Sequence, residues 1–334
     1  MSDGTPSLAV LCPVYNEEAV IANFTTKLLS VLDGLKSRYD CSVLFVVDRC
    51  TDSTLDVLRL QAAGDERIQI LVLSTRFGHQ MSLRAGMDHC NTDILIMMDS
   101  DLQHPPELIP QLLAEYENGN DIVYTVRQSS EDVGILRGIA SRIFYKALNW
   151  VSEVPIEPNA ADFRLISRKV LRVFQTQILE QNQFMRGLFG WVGFNKKAVS
   201  FQAAPRGGGR SKYSIARLLA FAMSGLLSFS KVPLKAAVIV GLLFALAGLL
   251  MAIVTTIQFF VYAQLPSGWT TIVTLVSGFS GIQLVFMGVL GLYVGAIYDE
   301  VKGRPHYIVQ EGINIKPWGA DRQPRGRRNT DNRP

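Results

Sequence analysis

A chain of 334 residues with 48% apolar and 19% charged residues is too long for one small domain and too apolar for a disordered segment; the length suggests about two units. The formal charge of +4 is modest and gathers in the final stretch KPWGADRQPRGRRNTDNRP, so the body of the chain has no basic surface of the kind nucleic acid demands. Cys12, Cys41, Cys50 and Cys90 form no CxxC pair and read as reduced thiols, while His79, His89, His104 and His306 show no metal-ligand spacing and read as surface or core residues.

The first 127 residues alternate between short apolar runs and amphipathic stretches. Strands are predicted at Leu8–Tyr15, Ser42–Val47, Ile68–Ser74, Asp93–Asp99 and Asp121–Arg127, and helices at Glu17–Leu35, Asp52–Ala63, Gln80–Cys90 and Pro106–Asn118. Such alternation predicts an α/β domain with a mainly parallel sheet covered on both faces. Ligands of such sheets gather at the carboxyl ends of the strands. Tyr15, Asn16, Glu17, Asp48, Arg76, Asp99, Ser100, Asp101 and Arg127 all follow an apolar run and are therefore expected at that edge.

The character then changes. LRGIASRIFYKALNWV (136–151) mixes basic and aromatic residues at helical spacing, which suits either a helix in the headgroup region or one packed on the sheet. APRGGGRSKY (204–213) joins backbone freedom to Arg206, Arg210 and Lys212, a combination suited to an anionic ligand. The segment 213–231 carries a charge-free run too short to span a bilayer and is expected to lie in the interface. From Ala236 to Tyr298 there is no Asp, Glu, Lys or Arg, which predicts two membrane helices at about 236–262 and 272–298 joined by AQLPSGWT. Lys231, Lys235, Lys302 and Arg304 flank the pair, and its turn carries no cation, so both termini are expected in the cytoplasm of an inner-membrane, multi-pass protein. MSDGTPSLAV lacks a basic start with a long apolar run, so no cleavable leader is expected. These boundaries give a cytosolic domain at 1–212, a juxtamembrane helix at 213–231, a hairpin at 232–300 and a basic tail at 301–334 that suits anionic lipid headgroups.

Within ILIMMDSDLQHPPELI, Asp99 and Asp101 stand at the exit of the fourth strand. Carboxylates at i and i+2 there can present oxygens to one hard cation, Mg²⁺ or Mn²⁺, that keeps positions for phosphate oxygens. Such a cation neutralises charge on a departing diphosphate.

The ordered motifs CPVYNEE, VVDRCTDST, MDSDLQHPPE, ADFRLISRKVL, FMRGLFGWVGF and GGRSKYS resemble family-two glycosyltransferases that act on polyprenyl phosphate, with bacterial bactoprenol glucosyltransferases nearest. Undecaprenyl-phosphate aminoarabinose transferases and dolichol-phosphate mannose synthases are similar at greater distance. The resemblance covers residues 7 to 310. It implies a GT-A fold and inverting transfer from a nucleotide-sugar to polyprenyl phosphate, with a UDP-sugar favoured and GDP-mannose the alternative. It implies nucleoside contacts at Pro13, Tyr15, Glu17 and Asp48, a divalent metal at Asp99, Asp101 and Gln103, and a base or acceptor-positioning acid at Asp162. Arg127, Arg137, Arg210 and Lys212 match positions near the acceptor phosphate. Resemblance to tetrameric members implies a homo-oligomer, for which Gly241, Ala245, Gly248, Gly288, Gly291 and Gly295 supply small-residue surfaces.

Two departures bear on the donor. The family commonly carries an acid, then Gly-Ser, where this chain has Val47, Arg49 and Cys50, so the turn after Asp48 is expected to differ. Arg76 stands where Asn is frequent. A processive synthase is disfavoured by the absence of a Q-x-x-R-W signature, and a catalytically silent membrane scaffold is the competing reading from another class.

Overall fold

A strand covered on both faces has no polar side to show, and β1 (Ser7–Val14) has none: seven of its eight residues are buried. The computed structural model describes residues 5–127, 160–181, 183–201, 232–262 and 268–315. After β1 come α1 (Glu18–Asp33), β2 (Asp40–Val47), α2 (Thr54–Gly64), β3 (Ile68–Leu73), α3 (His79–His89) and β4 (Ile94–Met97). A 3-10 turn at Pro106–Leu108 opens α4 (Ile109–Glu117), and β5 (Ile122–Arg127) follows. Every element predicted in this region is present, with ends shifted by up to three residues.

Beyond it lie β6 (Ala160–Ser167), α5 (Arg168–Thr176), α6 (Met185–Trp191) and β7 (Lys196–Phe201). Two long helices, α7 (Val232–Tyr262) and α8 (Trp269–Lys302), precede a last strand, β8 (Val309–Ile313). The strands form one sheet in the order β7-β5-β6-β4-β1-β2-β3-β8. Strands β1 to β5 and β7 share a direction, and β6 and β8 run against it. The expected mainly parallel α/β architecture is therefore the observed one.

Two apolar layers sandwich the sheet. On one face Phe24 and Leu28 of α1, Leu58 of α2 and Leu112 of α4 pack on the strands. Leu83 and Met87 of α3, Phe174 of α5 and Phe189 of α6 pack on the other. Of the helices on that second face, α3 approaches β1 so closely that a Cβ on Gly86 would lie 2.1 Å from a Leu11 methyl.

Helices α7 and α8 run 31 and 34 residues, beyond the roughly 20 needed to cross a bilayer. Leu234–Met251 and Gly278–Lys302 are their most apolar spans, and neither is buried within the chain. Phe244 and Phe279 meet edge to face at 5.4 Å, joining the pair. Gly303 ends α8 at φ 59, a left-handed cap that glycine adopts without strain.

One boundary needs correction. The residues from 301 were expected to form a basic tail, yet Val309–Ile313 pair antiparallel with β3 and complete the sheet. The chain leaves the domain, forms both long helices and returns to cover the β3 edge, which would otherwise expose unpaired amides and carbonyls. The expected interfacial helices at 136–151 and 213–231, the loop at 204–213, most of the hairpin turn and the tail from 316 lie outside the described residues.

Gly86→Ala is expected to destabilise the fold by about 1–3 kcal/mol through overpacking against Leu11. A urea melt followed by near-UV circular dichroism measures it.

Candidate active site

In an open α/β sheet a crevice forms where strand order reverses, at the carboxyl ends of the strands. Here the reversal lies between β1 and β4. A cavity of about 460 Å³ opens there, walled by Pro13, Tyr15 and Glu17 at the end of β1 and just beyond it, and by Asp99, Ser100 and Asp101 after β4. Asp48, Arg76, His79, Asp162 and Arg186 also face it.

Register explains how Asp162 arrives. Met97 of β4 lies opposite Arg164 of the antiparallel β6, so two residues onward on one strand and two back on the other bring Asp99 level with Asp162. Neighbouring carboxylates in a largely buried wall need cationic partners. His79, the first residue of α3, supplies one, with Nε2 2.9 Å from Asp99 Oδ1. Arg186 of α6 supplies the other as a fork, donating from Nε and Nη2 to the two Asp162 oxygens at 3.0 and 3.1 Å. Arg164 is buried over the Phe189 ring and approaches Asp162 Oδ1 at 3.5 Å.

The charges follow this geometry. Burial alone would raise the Asp162 carboxyl, but the charge and hydrogen bonds of Arg186, with Arg164 behind, hold it well below the usual range. Burial pulls Arg164 down to about 10 against the opposing pull of Asp162. Burial would lower His79 and raise Asp99; their mutual hydrogen bond outweighs both tendencies, so the imidazole is raised and the carboxyl lowered. The Asp99 amide donates to His104 Nδ1 at 3.2 Å, and the same ring nitrogen lies 3.6 Å from Asp99 Oδ2.

On the β2 side, Asp48 accepts from the Phe77 and Gly78 amides at 2.7 and 2.8 Å. It thereby fixes the loop entering α3, where Gly78 holds φ 91. Arg76 lies over the Tyr15 ring at 4.0 Å, a cation–π contact that closes this end of the cavity. Arg49 adopts φ 43 and donates from Nη1 to the Ser74 carbonyl at 2.7 Å. A left-handed conformation that glycine takes without strain is here adopted by an arginine tied across to the next loop.

Asp101 accepts from the Gln103 amide at 3.1 Å and from its Nε2 at 2.6 Å. Gln103 Oε1 in turn accepts from Arg127 Nη2 at 2.9 Å. Gln103 thus joins Asp101 to Arg127, and its carbonyl oxygen, with one hydrogen bond accepted, keeps a second lone pair that a metal could use. Arg137, Arg210 and Lys212 lie outside the described residues.

Among the described residues no three His, Cys, Asp or Glu side chains cluster as a closed metal site. An open site needs fewer protein ligands, since Mg²⁺ and Mn²⁺ take waters and phosphate oxygens alongside one or two carboxylates. Burial, with Asp101, Asp52 and Asp99 nearby, pushes Glu17 up to about 7. That excess of negative charge on hard oxygens suits a divalent cation.

Two residues at the centre of the site carry no role in the sequence pattern: Arg186 sits within FMRGLFGWVGF, and His79, without metal-ligand spacing, reads as a surface or core residue. His79 opens the helix that follows β3, a position that strand–helix alternation alone places near the ligand edge of the sheet.

Residues 9–174 match the family described as Glycosyl transferase family 2. The uncharacterized glycosyltransferase YkcC of Bacillus subtilis is 37% identical over 309 residues, covering 92% of this chain and 94% of that protein. An uncharacterized glycosyltransferase of Synechocystis is 35% identical over 320 residues, covering 96% and 98%. The SfII prophage-derived bactoprenol glucosyl transferase of Shigella flexneri is 34% identical over 310 residues, covering 93% and 99%.

Arg186→Met removes the main partner of a mostly buried carboxylate, at an expected cost of about 1–3 kcal/mol at pH 7, with Arg164 remaining. Asp162 titrates lower in the folded chain than its unfolded value of about 4, so the pair stabilises fully above that pH and the contribution is lost as pH falls through the folded value. The wild type should therefore lose more stability on acidification than Arg186→Met. Urea midpoints measured from about pH 6 downward check this.

Proposed function

This chain belongs to glycosyl transferase family 2, and from that footing we propose that it transfers a sugar from a nucleotide-sugar to a polyprenyl phosphate, with inversion, at the surface of the membrane its two apolar helices enter. The observation that carries the reading is the extent of one likeness: 34% identity runs over 99% of a bactoprenol glucosyl transferase. The cavity supports it, since Glu17, Asp99 and Asp101 line it together with the Asp162–Arg186 pair.

The acceptor is a phosphomonoester whose second pKa lies near about 6, so at neutral pH it is largely a dianion. Its oxygen attacks the anomeric carbon, the bond from that carbon to the diphosphate breaks, and the nucleoside diphosphate leaves with the electron pair. No proton need be removed first. The task is to bring two anions together in line. Tyr15 and Arg76 bound the nucleoside end, and Asp48 fixes the loop beneath it. Asp99 and Asp101 are the residues that would hold Mg²⁺ or Mn²⁺, which neutralises the departing diphosphate when bound. Gln103 braces Asp101 and Arg127, and Arg186 meets the acceptor side with its charge oriented by Asp162. A carboxylate gripped by two arginines is a poor proton acceptor, so Asp162 positions Arg186 and does not act as a base.

The flanking cations Lys231, Lys235, Lys302 and Arg304 favour a catalytic domain on the cytoplasmic face of the inner membrane. Homo-oligomerisation through the long helices is supported by Gly241, Gly248, Gly288, Gly291 and Gly295, since a Cβ at each would meet nothing within 4 Å in the single chain. A silent scaffold would release no nucleotide from any donor.

Membranes containing the protein, undecaprenyl phosphate and Mg²⁺ or Mn²⁺ should give lipid-linked sugar from one nucleotide-sugar in a screen that includes UDP-glucose and GDP-mannose. Asp101→Ala should lower that rate at least about 100-fold; equal product from mutant and wild type would sink the metal assignment. Asp162→Asn should lower kcat/KM for the acceptor about 10- to 100-fold while keeping the shape of the wild-type pH profile. Loss of the profile's acid limb in the mutant would instead identify Asp162 as a base.

A further inference from the structure

His79 and Arg186 share a second property: away from the cavity, the segments bearing them are bonded to residues at the end of α8. Helix α3 carries His79 at its start and Arg84 and Asp88 toward its end. Arg84 is 2% exposed, a burial arginine tolerates only when paired. Its Nε donates to Asp88 Oδ2 at 2.9 Å and its Nη1 to the Ile178 carbonyl at 2.9 Å. The Tyr307 hydroxyl donates to the same Asp88 oxygen at 3.2 Å.

The chain from Ile178 leads into α6 and Arg186. Its Gln181 amide donates to Glu300 Oε2 at 2.8 Å, and His306 Nε2 donates to the Glu180 carbonyl at 3.0 Å. The two routes join beside the cavity, where the Met185 amide donates to Gln80 Oε1 at 3.3 Å. Glu300 lies two residues before the end of α8, and His306 and Tyr307 lie between that end and β8.

Resting on the reading that the acceptor is a membrane lipid, we propose that Glu300, His306 and Tyr307 are positioning residues for the transfer. They tie α3 and α6 to the end of the second membrane helix and so fix the height of His79 and Arg186 above the bilayer. A lipid phosphate is held near the depth of its headgroup plane, whereas the site is carried by a sheet. An α-helix is a stiff rod rising 1.5 Å per residue, so a shift imposed at Asp88 is carried to His79. A misplacement of about 1 Å between reacting groups can cost about 100-fold in rate.

The test uses the full chain in lipid nanodiscs with two acceptors: undecaprenyl phosphate embedded in the bilayer, and a two-isoprene phosphate that reaches the site from water. Tyr307→Phe leaves the Arg84–Asp88 pair intact, and Glu300→Ala removes an acceptor from a partly exposed site, so both should fold. Each is expected to slow transfer to the embedded lipid about 10-fold while keeping the short acceptor within about 2-fold of wild type. Glu300→Gln, which retains an oxygen for the Gln181 amide, should restore transfer to the lipid. Equal losses with both acceptors, or no loss with either, would overturn the proposal. Should the wild type glycosylate neither acceptor from any nucleotide-sugar, the acceptor reading fails, and amide hydrogen exchange decides the linkage by itself. Several-fold faster exchange across α3 and α6 in Tyr307→Phe supports it, and unchanged protection overturns it.

Discussion

The antiparallel register of β4 and β6 sets two carboxylates side by side at the edge of the sheet, and much else in the site answers to that constraint. Asp99 and Asp162 cannot both stay ionised in a buried wall without partners. The fold supplies His79 from one helix and Arg186 from another, so α3 and α6 must each present a cation at the same crevice. Close contact of Gly86 with Leu11 seats the first helix, and the Phe174–Phe189 contact, with ring centroids 4.5 Å apart, steadies the second. Electrostatic need and core packing point to the same placement.

The opposite wall is built differently. Around Asp48, Arg49 and Asn16 many polar atoms are spent within the wall: Asn16 exchanges hydrogen bonds with Thr51, and Asp52 accepts from the Thr54 amide and hydroxyl. A ligand meeting such a wall meets a surface fixed before it arrives, which spares the ordering cost of binding. Three non-glycine residues in left-handed conformations, Asn16, Arg49 and Leu102, cluster at these strand exits, a concentration of strain typical of sites that must present particular atoms.

The first five strands and four helices were legible because each strand is a buried run bounded by polar residues, and local pattern suffices for that. β6 is not legible as a strand in ADFRLIS, because its neighbours are β4 and β5 and its pairing is set by tertiary register. β8 escaped for a related reason: VQEGI is short, polar in the middle and half exposed, as an edge strand can be. The acids of the site were visible as a motif, whereas His79 and Arg186 acquire meaning only once register brings them to Asp99 and Asp162. Gln103 stands in the same motif, and only its neighbours show that it also joins Asp101 to Arg127.

The return of the chain to pair with β3 makes the two long helices an insertion within the domain and not an appendage to it. Order of synthesis then matters. Residues 309–313 leave the ribosome after both long apolar helices, so the edge of the sheet stays open until those helices have been made. The last strand closes the domain only when that is done. Completion of the sheet is in this way a record that both helices have been made, written into the fold by the sequence position of five residues.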